Sequence, residues 1–135
     1  SREPQRYGCV TLELINERIN ALCMEQGVDF QAIQSNHEGE LIDCIHAAAD
    51  DGIGFIVINP AALTHTSVGL RDALLAVEIP FIEVHLSNIH AREPFRRHSY
   101  LADVSQGVIS GLGADGYELA VQAALRRMAG QNNRR

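Results

Sequence analysis

Lysine is absent from this chain of 135 residues, and all 11 of its lysine-or-arginine positions are arginine. That absence excludes Schiff-base chemistry at an amine and lysine-anchored pyridoxal phosphate. It also excludes a Walker A phosphate loop, which needs its lysine. Tryptophan is missing too, while apolar content is ordinary for a soluble globular protein at 46 %. There are only 3 cysteines (Cys9, Cys23, Cys44), an odd number without CxxC spacing. Reduced thiols in a cytoplasmic protein are expected from that pattern, not a disulfide framework or a zinc site. No apolar run is long enough to span a bilayer, and the polar start does not read as a signal peptide. The formal net charge of −6 argues against a general nucleic-acid surface. Internal repeats and low-complexity segments are absent as well.

What is present fits one domain, 1–135, with a core of useful size. Residues 1–9 are polar and loop-like, broken by Pro4 and Gly8. Leu12, Ile15, Ile19 and Leu22 recur at helical spacing, and Gly27 is placed to stop that helix. Residues 28–34 alternate like a half-buried strand. Ser35-Asn36-His37-Glu38 fits a capping box, with Leu41, Ile42, Ile45 and Ala49 as the apolar face of the next helix. Residues 55–58 form a short apolar run of the kind found in buried parallel strands. A loop over 59–66 leads to a third helix, capped by Thr66 or Ser67 and running to about Val77. A strand over 79–86 is followed by a long polar loop to about residue 101. A short strand at 107–110 and a helix from Tyr117 to Met128 complete the order, with a frayed tail at 130–135. This alternation predicts a doubly wound parallel sheet with helices on both faces. Such sheets begin with a strand that lies in the middle, yet the first element here is a helix. The expectation is that an N-terminal strand belongs ahead of Ser1.

In open α/β sheets ligands bind beyond the carboxyl ends of the strands. Two polar clusters fall there: Asn59 to Ser67 after one strand, and His85-Leu86-Ser87-Asn88 at the end of the next. One helical crossover joins the two strands, so Asn59, His65, His85 and Ser87 are expected around one pocket, with Arg96 in the following loop. Glu83 and His85 are two apart on a strand and share a face, which lets the carboxylate orient the imidazole. Each residue has a plainer use: Asn59 in a turn before Pro60, His65 in a helix cap, Glu83 and His85 as a satisfied polar pair. His46 reads as a surface or half-buried helical residue, and His90 and His98 as hydrogen-bonded loop residues. Gly111 to Gly116 fits GxGxxG, but no strand follows its helix, so a tight turn and close packing are expected, not a nucleotide. Glu83, His85 and His90 match no standard metal-ligand spacing, and arginines nearby would repel a cation.

The N-terminal segment sets Arg2 and Arg6 near Tyr7 and Gly8. A phenol with pKa near ~10 is a poor base at neutral pH, and a neighbouring guanidinium lowers that value. A base on a mobile loop also suits a lid.

Ser-Arg-Glu-Pro with Tyr-Gly at 1–8, Gln34 to Glu40, Asn59-Pro with Thr-His-Thr-Ser67, Leu70-Arg-Asp-Ala-Leu74, Ile82 to Arg96, His98-Ser-Tyr100 and Gly111-Leu-Gly resemble type II 3-dehydroquinate dehydratase. The resemblance runs from residue 2 to about 125. It implies a flavodoxin-like domain with residues 1–9 as the active-site lid. It further implies anti elimination of water from 3-dehydroquinate through an enolate, with no cofactor and no metal. Tyr7 would be the general base, held as tyrosinate by Arg2, and His85 the general acid, oriented by Glu83. Asn59 and His65 would bind substrate hydroxyls, Leu86 and Ser87 the substrate carboxylate, and Arg96 a ring hydroxyl. Trimers assembling into a dodecamer are implied, with Asp72 reaching a neighbouring subunit's site; no membrane or nucleic-acid partner is. A strand and a loop resembling Asn-Gly-Pro-Asn-Leu-Asn-Leu-Leu-Gly would precede Ser1. Both are absent from the sequence, so a sheet lacking its middle strand is the expectation, and a truncated paralogue that only binds a small anion is the competing reading. Biosynthetic and quinate-degrading roles share this chemistry.

Overall fold

The computed structural model describes residues 12–133, and side chains of residues 15–130. Among these, four helices, α1 (Leu12–Glu25), α2 (Glu38–Asp50), α3 (Val68–Val77) and α4 (Asp115–Asn133), accompany three strands, β1 (Ile56–Ile58), β2 (Phe81–His85) and β3 (Gly107–Ser110). The strands form one parallel sheet in the order β1-β2-β3. Single turns of 3-10 helix occupy 61–65, 89–91, 94–96 and 102–104.

Strand periodicity sorts the layers. Phe81 and Ile58 face one side, where they pack with Ile45 of α2, with Leu70, Ala73 and Leu74 of α3, and with Leu101. Ile82 and Val84 face the other, against Ala120 of α4, with Val57 and Ile109 beside them. There α1 joins through Ile15, Ile19 and Cys23, which meet Val121. Each fully buried side chain such as Leu70 or Leu74 contributes roughly 1.5–3 kcal/mol of apolar transfer. The β1–β2 connection is the helix α3, whereas β2 reaches β3 through the 3-10 turns, and Val108 on β3 stays 40 % exposed.

The ends of the helices follow their local sequence. Gly27 stops α1 at φ +70°, with its N–H on Met24 O and that of Val28 on Cys23 O. Ser67 caps α3 by accepting from Leu70 N at 2.9 Å. That helix ends at Glu78, in the left-handed region at φ 58°, because Ile79-Pro80 must leave extended to feed β2.

Three sequence expectations need correction. Residues 28–34 are not a strand. Val28 and Phe30 do pack half-buried against the α1–α4 cluster, but the segment has no ladder partner among the described residues and Ile33 is 62 % exposed. Alternation supplies a face; a strand also needs a neighbour to take its N–H and C=O groups. The capping box is not formed either, since His37 caps α2 without a side-chain bond. Ser35 instead accepts from His37 N and donates to Glu40. Glu38 turns away to accept from Ser67 Oγ at 2.5 Å, linking α2 to the start of α3. The last helix also starts earlier and runs further than residues 117–128.

The glycines of GxGxxG serve packing. Gly111 (φ +91°) and Gly113 place their N–H groups on the carbonyls of His85 and Leu86, so the turn after β3 is pinned to the tip of β2. A Cβ on Gly116 would lie 3.2 Å from Val84 Cγ1 and 3.3 Å from Ile109 Cγ2, so glycine lets α4 approach the sheet.

Glu78→Gly is expected to raise unfolding free energy by about 1 kcal/mol in urea titrations by relieving a left-handed non-glycine residue; an unchanged midpoint would count against strain there. Gly116→Val should cost about 1–3 kcal/mol by overpacking α4 on β2 and β3, read from the same titrations.

Candidate active site

The carboxyl ends of β1 and β2 meet where the sequence places the chemistry. Glu83 and His85 project from the same face of β2, and both are buried, at 0 % and 5 % exposure. A carboxylate in that position is costly unless donors surround it. His85 Nε2 is hydrogen-bonded to Glu83 Oε2. Thr64 Oγ1, from the 3-10 turn after β1, donates to the same oxygen at 2.7 Å. Ser99 Oγ, from the β2–β3 loop, donates to Oε1 at 2.9 Å. Burial alone would push the Glu83 pKa up. The bonds from His85, Thr64 and Ser99 outweigh it and hold the carboxyl below its usual range.

Around this pair the loop is tied to the turn after β1. Tyr100 N donates to Thr64 O at 2.8 Å, and Arg71 of α3 donates to Tyr100 O at 2.9 Å while pairing with Asp103. His65 Nδ1 lies 2.7 Å from His98 O. A carbonyl only accepts, so Nδ1 carries the hydrogen and Nε2 is the acceptor of the neutral ring. Asn59 makes its turn, accepting from Ala61 N at 3.0 Å through Oδ1. Its Nδ2 donates to Tyr117 Oη at 2.7 Å, so the first turn of α4 braces it. Ala61 itself sits at φ 52°, a left-handed non-glycine residue beside these groups.

Ser87 accepts from Arg92 at 2.6 Å, and Leu86 beside it is 46 % exposed. Arg96 stands further out, its guanidinium 5.1 Å above the Phe95 ring and 3.9 Å from Glu93. It has no hydrogen bond to the Glu83–His85 pair among the described residues. Asp72 lies exposed on α3, one turn from Val68 and near Leu75, which are themselves 52 % and 48 % exposed. Tyr7 and Arg2 fall outside the described residues. His46 and His90 are exposed, and His98 meets Tyr100 edge-on at 5.1 Å between ring centroids. Among the described residues no group of three His, Cys, Asp or Glu is arranged to hold a metal ion, and no helix is long and apolar enough to cross a membrane.

Thr64, Ser99 and Tyr117 were not singled out from sequence. The available signal for the first two was Glu83 itself, since a carboxylate in the middle of a buried strand demands donors from elsewhere. Tyr117 gave no such signal beyond its place at the head of the last helix.

Comparison with known proteins identifies the family. The family model described as dehydroquinase class II matches residues 1–125. The 3-dehydroquinate dehydratase of Halorhodospira halophila is 70 % identical over 131 residues, covering 97 % of this chain and 88 % of its own. The 3-dehydroquinate dehydratase 1 of Pseudomonas aeruginosa is 62 % identical over 128 residues, covering 95 % and 87 %. Among solved structures, the type II dehydroquinase of Propionibacterium acnes superposes with a TM-score of 0.80 at 43 % identity, covering 93 % of this chain and 86 % of that one. The three parallel strands flanked by helices are therefore the flavodoxin-like arrangement of these relatives, and the chain belongs to the class II dehydroquinases.

Proposed function

We propose that the protein removes water from 3-dehydroquinate to give 3-dehydroshikimate, by anti elimination through an enolate and without a cofactor. The observation that carries this reading is the buried Glu83–His85 pair at the tip of β2, with Asn59 and His65 held on the neighbouring tip. Names of relatives up to 70 % identical support the substrate.

In the proposed reaction the Tyr7 phenolate, stabilised by Arg2, takes the C2 proton. The electron pair moves toward the ketone and forms the enolate. His85 then gives a proton to the departing hydroxyl, the C–O bond breaks, and water leaves as the conjugated enone forms. General acid and base must stand on opposite sides of the substrate for an anti elimination, which suits a base on the N-terminal segment and an acid on the sheet. Glu83, fixed by three donors, orients His85 and balances its charge. Asn59 and His65 bind substrate hydroxyls, Leu86 and Ser87 the carboxylate, and Arg96 a ring hydroxyl. Asp72, exposed on α3, would enter the site of a neighbouring subunit in a trimer-based dodecamer. The chemistry serves aromatic biosynthesis or quinate breakdown equally, in a cytoplasmic setting.

Ultraviolet absorbance on mixing the protein with 3-dehydroquinate should rise steadily as the conjugated product forms. A folded oligomer that binds the substrate without any rise would favour a non-catalytic binding protein. His85→Gln should lower kcat by roughly 10²–10⁴-fold, the range for loss of a general acid, with KM changed far less.

The depressed pKa of Glu83 also has a linkage consequence. Its stability contribution is fully present above the unfolded glutamate value and is lost as pH falls through the lower folded value. Glu83→Gln is therefore expected to be less stable than the wild type at neutral pH, with the gap closing on acidification. Denaturant titrations across the acid range measure this, and a gap independent of pH would contradict it.

A further inference from the structure

The hydrogens around Glu83 can be counted, and the count fixes their directions. Ser99 Oγ accepts from Leu101 N at 3.0 Å and Ala102 N at 3.2 Å, which uses both its lone pairs. Its single hydrogen is then shared between Glu83 Oε1 at 2.9 Å and Thr64 Oγ1 at 2.6 Å. Thr64 cannot donate to Ser99, so its own hydrogen goes to Glu83 Oε2 at 2.7 Å. Both hydroxyls thus point toward the carboxylate. The groups bonded to Glu83 are Thr64 from the turn after β1, Ser99 from the loop and His85 from its own strand. No guanidinium hydrogen-bonds to it among the described residues, so these three supply the compensation for a fully buried acid. A protonated Glu83 would set a donor among donors; only the ionised form satisfies every partner. An acceptor-only carboxylate requires that His85 Nε2 carry a hydrogen.

We infer that Thr64 and Ser99 are positioning residues for the reaction: acting through Glu83, they keep a hydrogen on His85 Nε2, so that the imidazolium gives its other hydrogen, the one on Nδ1, to the departing hydroxyl and is left as the neutral Nε2–H ring. This rests on the reading of His85 as general acid. The role reaches across the fold, because Ser99 is 16 residues from Glu83 and 35 from Thr64. The loop following β2 therefore helps set the protonation pattern at the tip of the strand it leaves.

The test uses the full chain labelled with ring-15N histidine, studied by magic-angle-spinning NMR at about pH 9, where an ordinary imidazole is neutral. His85 signals are identified by their loss in His85→Gln. The wild type should show a protonated Nε2 and a bare Nδ1. Thr64→Val combined with Ser99→Ala should give a mixture of both tautomers, and Thr64→Ser should keep the wild-type pattern. The near-isosteric Thr64→Val alone is read the same way where the double variant does not fold. In parallel kcat should fall roughly 10- to 100-fold, part of what a misoriented general acid forfeits, with KM within about 2-fold. A bare Nε2 in the wild type, or variants that keep both the wild-type tautomer and the wild-type rate, would overturn the inference. A tautomer that shifts in a protein unable to turn over 3-dehydroquinate would uphold the control of His85 by Thr64 and Ser99 and overturn the dehydratase reading instead.

Discussion

A single buried carboxylate organises the catalytic end of this molecule. Glu83 lies on the middle strand of the observed sheet with no exposed surface, and an ion there is tolerated only when its oxygens are saturated with donors. Each donor comes from a different part of the chain: Thr64 from the turn after β1, Ser99 from the loop before β3, His85 from the strand itself. Satisfying one acid thus fixes the conformations of two connections. The same bonds settle the charge state of Glu83, and through it the orientation of His85.

The rest of the architecture keeps that cluster in register. The sheet is parallel, so β1, β2 and β3 present their carboxyl ends together. Layers on both faces hold the strands: α2 and α3 against Phe81 and Ile58, α1 and α4 against Ile82 and Val84. Gly116 lets α4 sit close to β2 and β3, which in turn brings Tyr117 within 2.7 Å of Asn59. Arg71 connects α3 to the loop at Tyr100 and Asp103. Such fixed polar groups are placed to meet charge that develops in a reaction.

Much of this was legible beforehand. The alternation from Phe81 to His85 put Glu83 and His85 on one face, and the apolar run at 55–58 marked a buried parallel strand. Thr66 or Ser67 read as the cap of α3, and Ser67 is the one that caps it, while Gly27 read as a stop and is one. The glycines at 111, 113 and 116 read as a turn with close packing, which is what the contacts with His85, Leu86, Val84 and Ile109 are. Residues 28–34 misled because alternation describes one chain, whereas a strand is a relation between two. Ser35 to Glu38 misled because a capping glutamate competes with any better partner nearby, and Ser67 of the next helix is one.

The sequence by itself determined the layer pattern, the positions of the strand tips and the membership of the family, because periodicity, caps and long motifs are local properties of the chain. Tertiary structure alone decided which hydroxyls serve Glu83 and which phenol braces Asn59. Serines and threonines are common and chemically alike, and nothing local distinguishes Ser99 from Ser105. Their roles come from packing that brings residues 35 and 58 positions apart within a hydrogen bond of each other. Donors to a buried charge are chosen by geometry in three dimensions, and that geometry exists only once the layers have assembled.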